Sequence, residues 1–473
     1  MIGSLFSMSS LLRLIPSHRI LFRASIVTCL FIIQIFWTRP TFSHPNPSSD
    51  IMRYGSQNSC PQSAIADDIL VVLRTGATEA LKKVPTHFRT TLRCVPHHVV
   101  YSDLEETIEG HHVYDMLDEV DDEIKRTHPD FRLYNHLKIH GREGLDSQES
   151  LQMGDGTGGT GNLKNPGWAL DKWKFLPMID KALQHRPEAK WFVFIEPDTY
   201  LIWPNLLEYL ARFNPSEPYY MGKHMYIDEI LFGYGGAGIV LSKPAMQKVS
   251  EHRMARLAEY DQFTAEHWAG DCVLGKALDD AGVPLFVAFP HLQGDAPAAL
   301  DPKTTKRGRT AWCHPAITYH HVHPQEVEDL SAFEQKWYLT NNTLLRYGDI
   351  FKYYIQPQLS ASRSNWDNLS GDEYSKRTLD ALTDREKVNL FREEKYAPYS
   401  FKHCRALCRR RRSCLQFSYS QGRCFISGTV RLGYEGSSNQ RERIRSGWML
   451  GRIGEFVQEM DRTCDGVEDW FLS

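Results

Sequence analysis

The stretch Trp191–Leu201, WFVFIEPDTYL, runs five large apolar residues straight into two carboxylates separated by a proline. Alternate residues of a strand point to opposite faces of a sheet, so an unbroken apolar run predicts a strand covered on both sides. Such strands lie inside α/β folds, where ligands bind beyond the carboxyl ends of the strands. Glu196 and Asp198 are expected at that end. Two carboxylates one residue apart suit a hard divalent cation shared with a diphosphate, and that ion would neutralise a nucleotide leaving group. A solvated turn after a strand is the competing reading of the triplet, and its surroundings decide between the two.

Working outward, Ile69–Leu73 (ILVVL) is a second such run, ending at Thr75-Gly76. Val99–Asp103 (VVYSD) follows after a helix-like interval, which gives β-α-β spacing. Leu170–His185 has helical periodicity, and Gly233–Ser242 (GYGGAGIVLS) leads from glycines into another apolar segment. This alternation through about residue 330 predicts an α/β domain with a largely parallel sheet. Met153–Asn162 (MGDGTGGTGN) lacks the GK[ST] ending and the preceding strand of a phosphate loop, and is read as a loop.

Composition sets the class. Of 473 residues, 42% are hydrophobic, and 55 basic residues nearly balance 58 acidic ones, which excludes nucleic-acid binding driven by bulk charge. A mean hydropathy of −0.42 excludes a multi-span membrane protein. Ile20–Trp37 is nevertheless an apolar run, roughly 27 Å long as a helix. Arg13 and Arg19 precede it, Arg23 enters it, and no acidic residue comes before Asp50. Residues 1–19 are therefore expected as a cytoplasmic tail, 20–37 as a signal-anchor membrane helix of type II orientation, and the Pro/Ser-rich 38–63 as a stem. A cleaved signal peptide is the alternative, but WTRPTFSHP offers no small-x-small cleavage site. The rest would be lumenal, which agrees with ten cysteines and with the sequons at Asn341 and Asn368.

The lumenal part divides into a domain over 64–358, a polar linker over 359–395 and a cysteine-bearing module over 396–473. Cys404, Cys408, Cys414 and Cys424 favour disulfides over zinc, because no CxxC pair is present. Elsewhere Cys60–Cys94 and Cys272–Cys313 are the expected bridges, with Cys464 left over and Cys29 in the apolar segment. Arg409–Arg412 reads as a solvated helix end, with an anionic contact patch as the alternative. The helix-like cysteine segment followed by CLQFSYS and GRCFI resembles the PAN/Apple module. That resemblance implies the nested pairs Cys404–Cys424 and Cys408–Cys414, and a protein- or carbohydrate-binding role.

Four ordered motifs carry a second resemblance. They are FIEPDTYL (Phe194–Leu201), GGAGIVLS (Gly235–Ser242), GDCVLG (Gly270–Gly275) and AITYHHV (Ala316–Val322), with Thr75-Gly76 and Trp173-Lys174 upstream. Together they resemble glycosyltransferase family 31, which includes Fringe, the core 1 β1,3-galactosyltransferase and fungal relatives. The resemblance implies a GT-A fold and a lumenal, metal-dependent, inverting transferase. It would move a hexose from a UDP-sugar to a glycan or glycoprotein acceptor, through a β1,3 bond, in the Golgi membrane; a homodimer is compatible with it. Asp198 matches the family's metal-binding aspartate, Glu196 stands in place of its first aspartate, and His320 matches the histidine that completes a Mn²⁺ site. His321 and His323 lie one shift of alignment away. Asp271 matches the proposed general base, although a helix N-cap is an alternative role. Thr75, Gly76, Lys174, Glu196, Gly235 and Gly236 are the implied donor-binding residues, with Lys172 beside them. Two departures stand out: the triplet is EPD, and Gly270 replaces the acidic residue before the base. They keep alive a catalytically inactive relative that acts as a carbohydrate- or protein-binding unit. A secreted lectin-like protein is a third reading.

Overall fold

The computed structural model describes residues 60–146, 166–306, 308–436 and 444–472. The expected tail, membrane helix, stem up to residue 59 and glycine-rich 153–162 lie outside the described residues, as does Cys29. Among the described residues no helix is long and apolar enough to cross a membrane.

The apolar runs form the middle of an eight-stranded sheet. Its strands are β1 (Ile69–Arg74), β2 (His98–Ser102), β3 (Glu106–Ile108), β4 (His111–Asp115), β5 (Trp191–Ile195), β7 (Tyr220–Gly222), β10 (Ile239–Ser242) and β11 (Leu285–Val287). The intervening short strands are β6 (Tyr200–Leu201), β8 (His224–Ile227) and β9 (Ile230–Gly233). The order is β11-β7-β10-β5-β1-β2-β4-β3. Around β1 the pairing with β5 and β2 is parallel, as is that of β2 with β4; β10 runs antiparallel between β5 and β7.

The continuous hydrophobicity of β1 and β5 has the expected cause. Ile69, Val71, Leu73, Trp191, Val193 and Ile195 pack into one core, and Leu70, Val72, Phe192 and Phe194 into another on the opposite face. Both strands are buried along their whole length. The helices Ala77–Arg89 and Pro177–His185 supply Ala80 and Val84 to the first core and Met178, Ile179 and Ala182 to the second. This is α/β layering, and it holds the carboxyl ends of β1 and β5 side by side.

A second sheet of five strands is built from Arg363–Ser364, Arg445–Trp448, Gln416–Ser420, Arg423–Ser427 and Asp372–Ser375, in that order. The stretch 359–395 is thus not a linker. It contributes two strands to this sheet, because Tyr374 pairs with Cys424 and Arg363 with Ser446. The helix Phe401–Arg410 lies on the sheet, joined by Cys404–Cys424 and by Cys408–Cys414, as the nested pairing implied. Arg409, Arg410 and Arg412 are exposed at its end. The Arg452 guanidinium donates to the carbonyls of Cys408, Arg409, Arg411 and Cys414 there, capping them.

The described residues belong to one compact unit. Cys60–Cys94 forms as expected, but Cys272–Cys313 does not. Cys272 faces Phe232 and Ala269 as a buried free thiol, whereas Cys313 bonds Cys464. The reason is the return of the chain after the helix Leu450–Arg462. Asp461 accepts from Trp312 Nε1 at 2.9 Å, the Trp470 ring packs at a tilt against Tyr209 and His291, and the Phe471 N–H donates to His291 Nε2 at 3.1 Å. Asn368 also departs from expectation as a sequon. It is 0% exposed, and its amide donates to the Phe417 and Gly447 carbonyls. Only Asn341 is presented to solvent.

Cys313–Cys464 closes a loop of 151 residues. Replacing both cysteines by Ser is expected to lower stability by about 2–5 kcal/mol. Urea unfolding under non-reducing conditions measures this, and an unshifted midpoint would contradict a fastening role.

Candidate active site

Register brings four distant segments to one point. Leu73 pairs with Ile195, so Arg74 and Glu196 leave the sheet together. Ile239 of β10 lies opposite Phe194, which carries the glycines preceding β10 to the same edge. β6 pairs with Thr318–Tyr319, and the Val322 N–H donates to the Asp198 carbonyl at 3.0 Å. His320 and His321 therefore hang beside the triplet. Thr199 fastens the turn: its hydroxyl accepts from the Glu196 N–H at 3.2 Å and donates to the Gly236 carbonyl at 2.8 Å.

The charges interlock. His320 Nε2 lies 3.2 Å from Asp198 Oδ1 and 3.4 Å from Glu196 Oε2. Its other ring nitrogen, Nδ1, is 3.2 Å from the Tyr234 hydroxyl. Burial disfavours charge on this imidazole, but the hydrogen bonds and charges of Asp198 and Glu196 outweigh it and push the pKa up to about 9. Asp198 is held well below the usual carboxylate range: burial opposes this, while His320 and Lys83 enforce it. Lys83 Nζ bridges Glu79 at 2.7 Å and Asp198 Oδ2 at 3.5 Å. Glu196 is likewise lowered against its burial, first by Arg74 and then by His320.

Arg74 is 4% exposed. Its guanidinium pairs with Asp171 and, at 2.5 Å, with Glu196 Oε1. It stacks on the Phe175 ring at 3.8 Å. Phe175 in turn explains the second sequence departure, because a Cβ on Gly270 would lie 2.3 Å from its ring and 2.6 Å from Lys172 Cα. No acidic side chain fits there. Asp271 follows, in the first turn of the helix Gly270–Asp280. Its Oδ2 accepts from the Gly235 N–H and its Oδ1 from the Cys272 N–H, both at 2.9 Å. The N-cap position is Ala269, so Asp271 is not the cap residue. Burial pushes its carboxyl up to about 6, assisted by the charge of Glu196.

Of the residues expected from sequence, Glu196, Asp198, His320, Asp271, Gly235 and Gly236 converge. His323 does not: it is exposed and occupies the N-cap of the helix Pro324–Asn341. Lys174 is 1% exposed and sits beneath the end of β1, donating to the Thr75 carbonyl at 2.7 Å with Asp103 at 3.0 Å. It is a structural cation and not a diphosphate contact. Lys172 similarly pairs with Asp130 and the Ala265 carbonyl. Thr75 is buried, and Gly76 starts the following helix, where a Cβ would crowd Asp103 and Lys174 at 3.2 Å. Sequence reasoning missed Arg74, Lys83, Asp171 and Tyr234. Only Arg74 left a signal, as a charged residue closing a strand otherwise wholly apolar. One Asp198 oxygen and one ring nitrogen each from His320 and His321 lie within 4.8 Å of one another, so the residues present fit a divalent cation.

A carboxylate–imidazole cluster at the strand ends of an α/β sheet stands where such folds bind their ligands. Residues 172–323, which hold the cluster, match a family model described as Fringe-like. Over that stretch the chain is similar to the Fringe-like family. Glycoprotein-N-acetylgalactosamine 3-beta-galactosyltransferase 1 of Xenopus laevis is 27% identical over 202 residues, 38% of this chain and 52% of that protein. The chain thus spans about half the length of this curated relative. A solved glycosyltransferase involved in glycosylation of the major capsid of PBCV-1 aligns with 56% of this chain and 99% of its own. It does so at 13% identity and a TM-score of 0.24. At that level the fold is read from the chain's own strand pairing.

Gly236 carries a sharp test. A Cβ there would fall 2.1 Å from His320 Cε1 and 2.4 Å from Nε2, which forces the ring away from Asp198. Gly236→Ala is expected to weaken Mn²⁺ binding about 10-fold or more. Calorimetric titration measures this, and an unchanged affinity would show that His320 does not act where the geometry puts it.

Proposed function

We propose that this protein is a metal-dependent, inverting hexosyltransferase. It moves a hexose from a UDP-sugar to a glycan or glycoprotein acceptor, through a β1,3 bond, in the Golgi lumen, anchored by residues 20–37. The observation that carries the reading is the meeting of Asp198 and His320 with Asp271 across Gly235-Gly236, on the edge where the strands end. Asp198 and His320 would hold a divalent cation, which would supply charge neutralisation for the diphosphate leaving group. Asp271 takes the proton of the attacking hydroxyl. The Gly235 and Cys272 N–H groups fix both of its oxygens, and each keeps a lone pair for the acceptor. Gly235 is closely packed: a Cβ there would meet Glu196 and Phe175 at 3.1 Å.

UDP release with a panel of UDP-sugars and Mn²⁺ tests the activity. Asp198→Ala and Asp271→Asn are each expected to lower kcat/KM by about 10²–10⁴-fold. Unchanged turnover in both would remove the assignment. A chain that binds UDP-sugar with Mn²⁺ but turns none over would instead be a transferase-like binding protein. The Arg74–Glu196 pair, which ties up one carboxylate of the triplet, is the feature that favours this second reading.

The pH dependence has a definite sign. Asp271 must be ionised to accept a proton, and its pKa is raised to about 6. The kcat/KM profile is therefore expected to fall on the acid side of about pH 6, tenfold per unit well below it. A flat profile from pH 5 to 8 would exclude Asp271 as the base.

A further inference from the structure

We propose that the third protein ligand of the cation is His321 and not Glu196, so that the site is a two-imidazole, one-carboxylate set of Asp198, His320 and His321. Its preference would then run to Mn²⁺, Co²⁺ and Zn²⁺ over Mg²⁺. The proposal rests on the reading of this cluster as a cation site, and not on turnover.

Glu196 is committed elsewhere. Its Oε1 is bound to Arg74 at 2.5 Å. To release it would strand a guanidinium that is 4% exposed between Asp171 and the Phe175 ring. Phe175 has no room to retreat, because Gly270 is already packed against it. The remaining oxygen, Oε2, stands 3.4 Å from His320 Nε2, close enough to orient that ring. It is not among the donors that gather within 4.8 Å; those come from Asp198, His320 and His321.

The backbone is shaped to deliver the second imidazole. Consecutive residues of an extended chain point their side chains to opposite sides. His321 instead has φ +58°, a left-handed conformation uncommon for residues other than glycine. This turn swings its ring to the same side as that of His320, with ring centroids 3.8 Å apart. The residues on either side lock it in place: Tyr319 pairs with Tyr200, and the Val322 N–H is bonded to the Asp198 carbonyl. The Tyr234 hydroxyl at His320 Nδ1 fixes that ring, leaving Nε2 on the Asp198 side. Two neutral imidazoles with one carboxylate favour borderline transition ions, whereas Mg²⁺ prefers oxygen donors.

Mn²⁺ titration of the full-length chain followed by EPR, with Mg²⁺ and Zn²⁺ as competitors, tests this. The wild type is expected to show two imidazole-nitrogen couplings to Mn²⁺ in pulsed EPR. His321→Ala should remove one coupling and weaken Mn²⁺ binding about 10-fold or more, while Glu196→Gln, which disturbs a residue that orients His320, keeps both couplings. His321→Asn, which tolerates the left-handed backbone, separates ligand loss from backbone disturbance: it should weaken binding as the alanine variant does, with an unchanged metal-free melting midpoint. A single nitrogen coupling in the wild type would overturn the proposal, and so would affinity lost in Glu196→Gln but kept in His321→Ala. Two couplings in a protein without turnover would leave this ligand set standing and sink the transferase reading alone.

Discussion

The guanidinium of Arg74 is enclosed at the end of the central strand, bridging Asp171 and Glu196 above the face of Phe175. A buried cation of this kind is stable only while its partners stay in place, since removing either leaves an uncompensated charge away from water. It therefore fixes several things at once. It holds the helical segment carrying Asp171 against the sheet, sets the orientation of Glu196, and requires an aromatic floor at Phe175. That floor leaves space only for glycine at position 270, so the two departures from the family pattern are connected. A glutamate long enough to reach Arg74 and a glycine that admits Phe175 belong to one arrangement, and Asp271 takes its position directly after it.

What could be read from the sequence follows from how local the governing physics is. The unbroken runs of β1 and β5 announce strands covered on both faces, because that burial is written residue by residue. The ordered motifs singled out Asp198, Asp271 and His320, since each lies at the end of a recognisable apolar segment. Arg74 and Lys83 escaped because their roles are defined by carboxylates over a hundred positions away. Lys174 looked like a phosphate contact for the opposite reason. A lysine beside a tryptophan on a helix gives no hint that its ammonium will be enclosed with Asp103.

The cysteines show the same division. Cys404, Cys408, Cys414 and Cys424 are close in sequence, and their nested pairing was implied by a resemblance. Cys313 had a choice among distant partners that spacing cannot rank. The stretch 359–395 was misread because strands as short as Arg363–Ser364 and Asp372–Ser375, facing solvent on one side, carry too little alternation to separate them from a polar tether.

The return of the chain to the transferase core has a consequence for its synthesis. Residues 464–471 supply a disulfide partner to Cys313, a ring to the cluster around Tyr209 and a donor to buried His291. Domains normally fold in order as they leave the ribosome, amino-terminal ones first. Here the transferase sheet is complete by β11, but its core is not closed until some 180 further residues have been translated. The cysteine-bearing module is synthesised in that interval. Maturation is accordingly a post-translational event for the whole unit, and Cys313 has to stay reduced until its partner arrives.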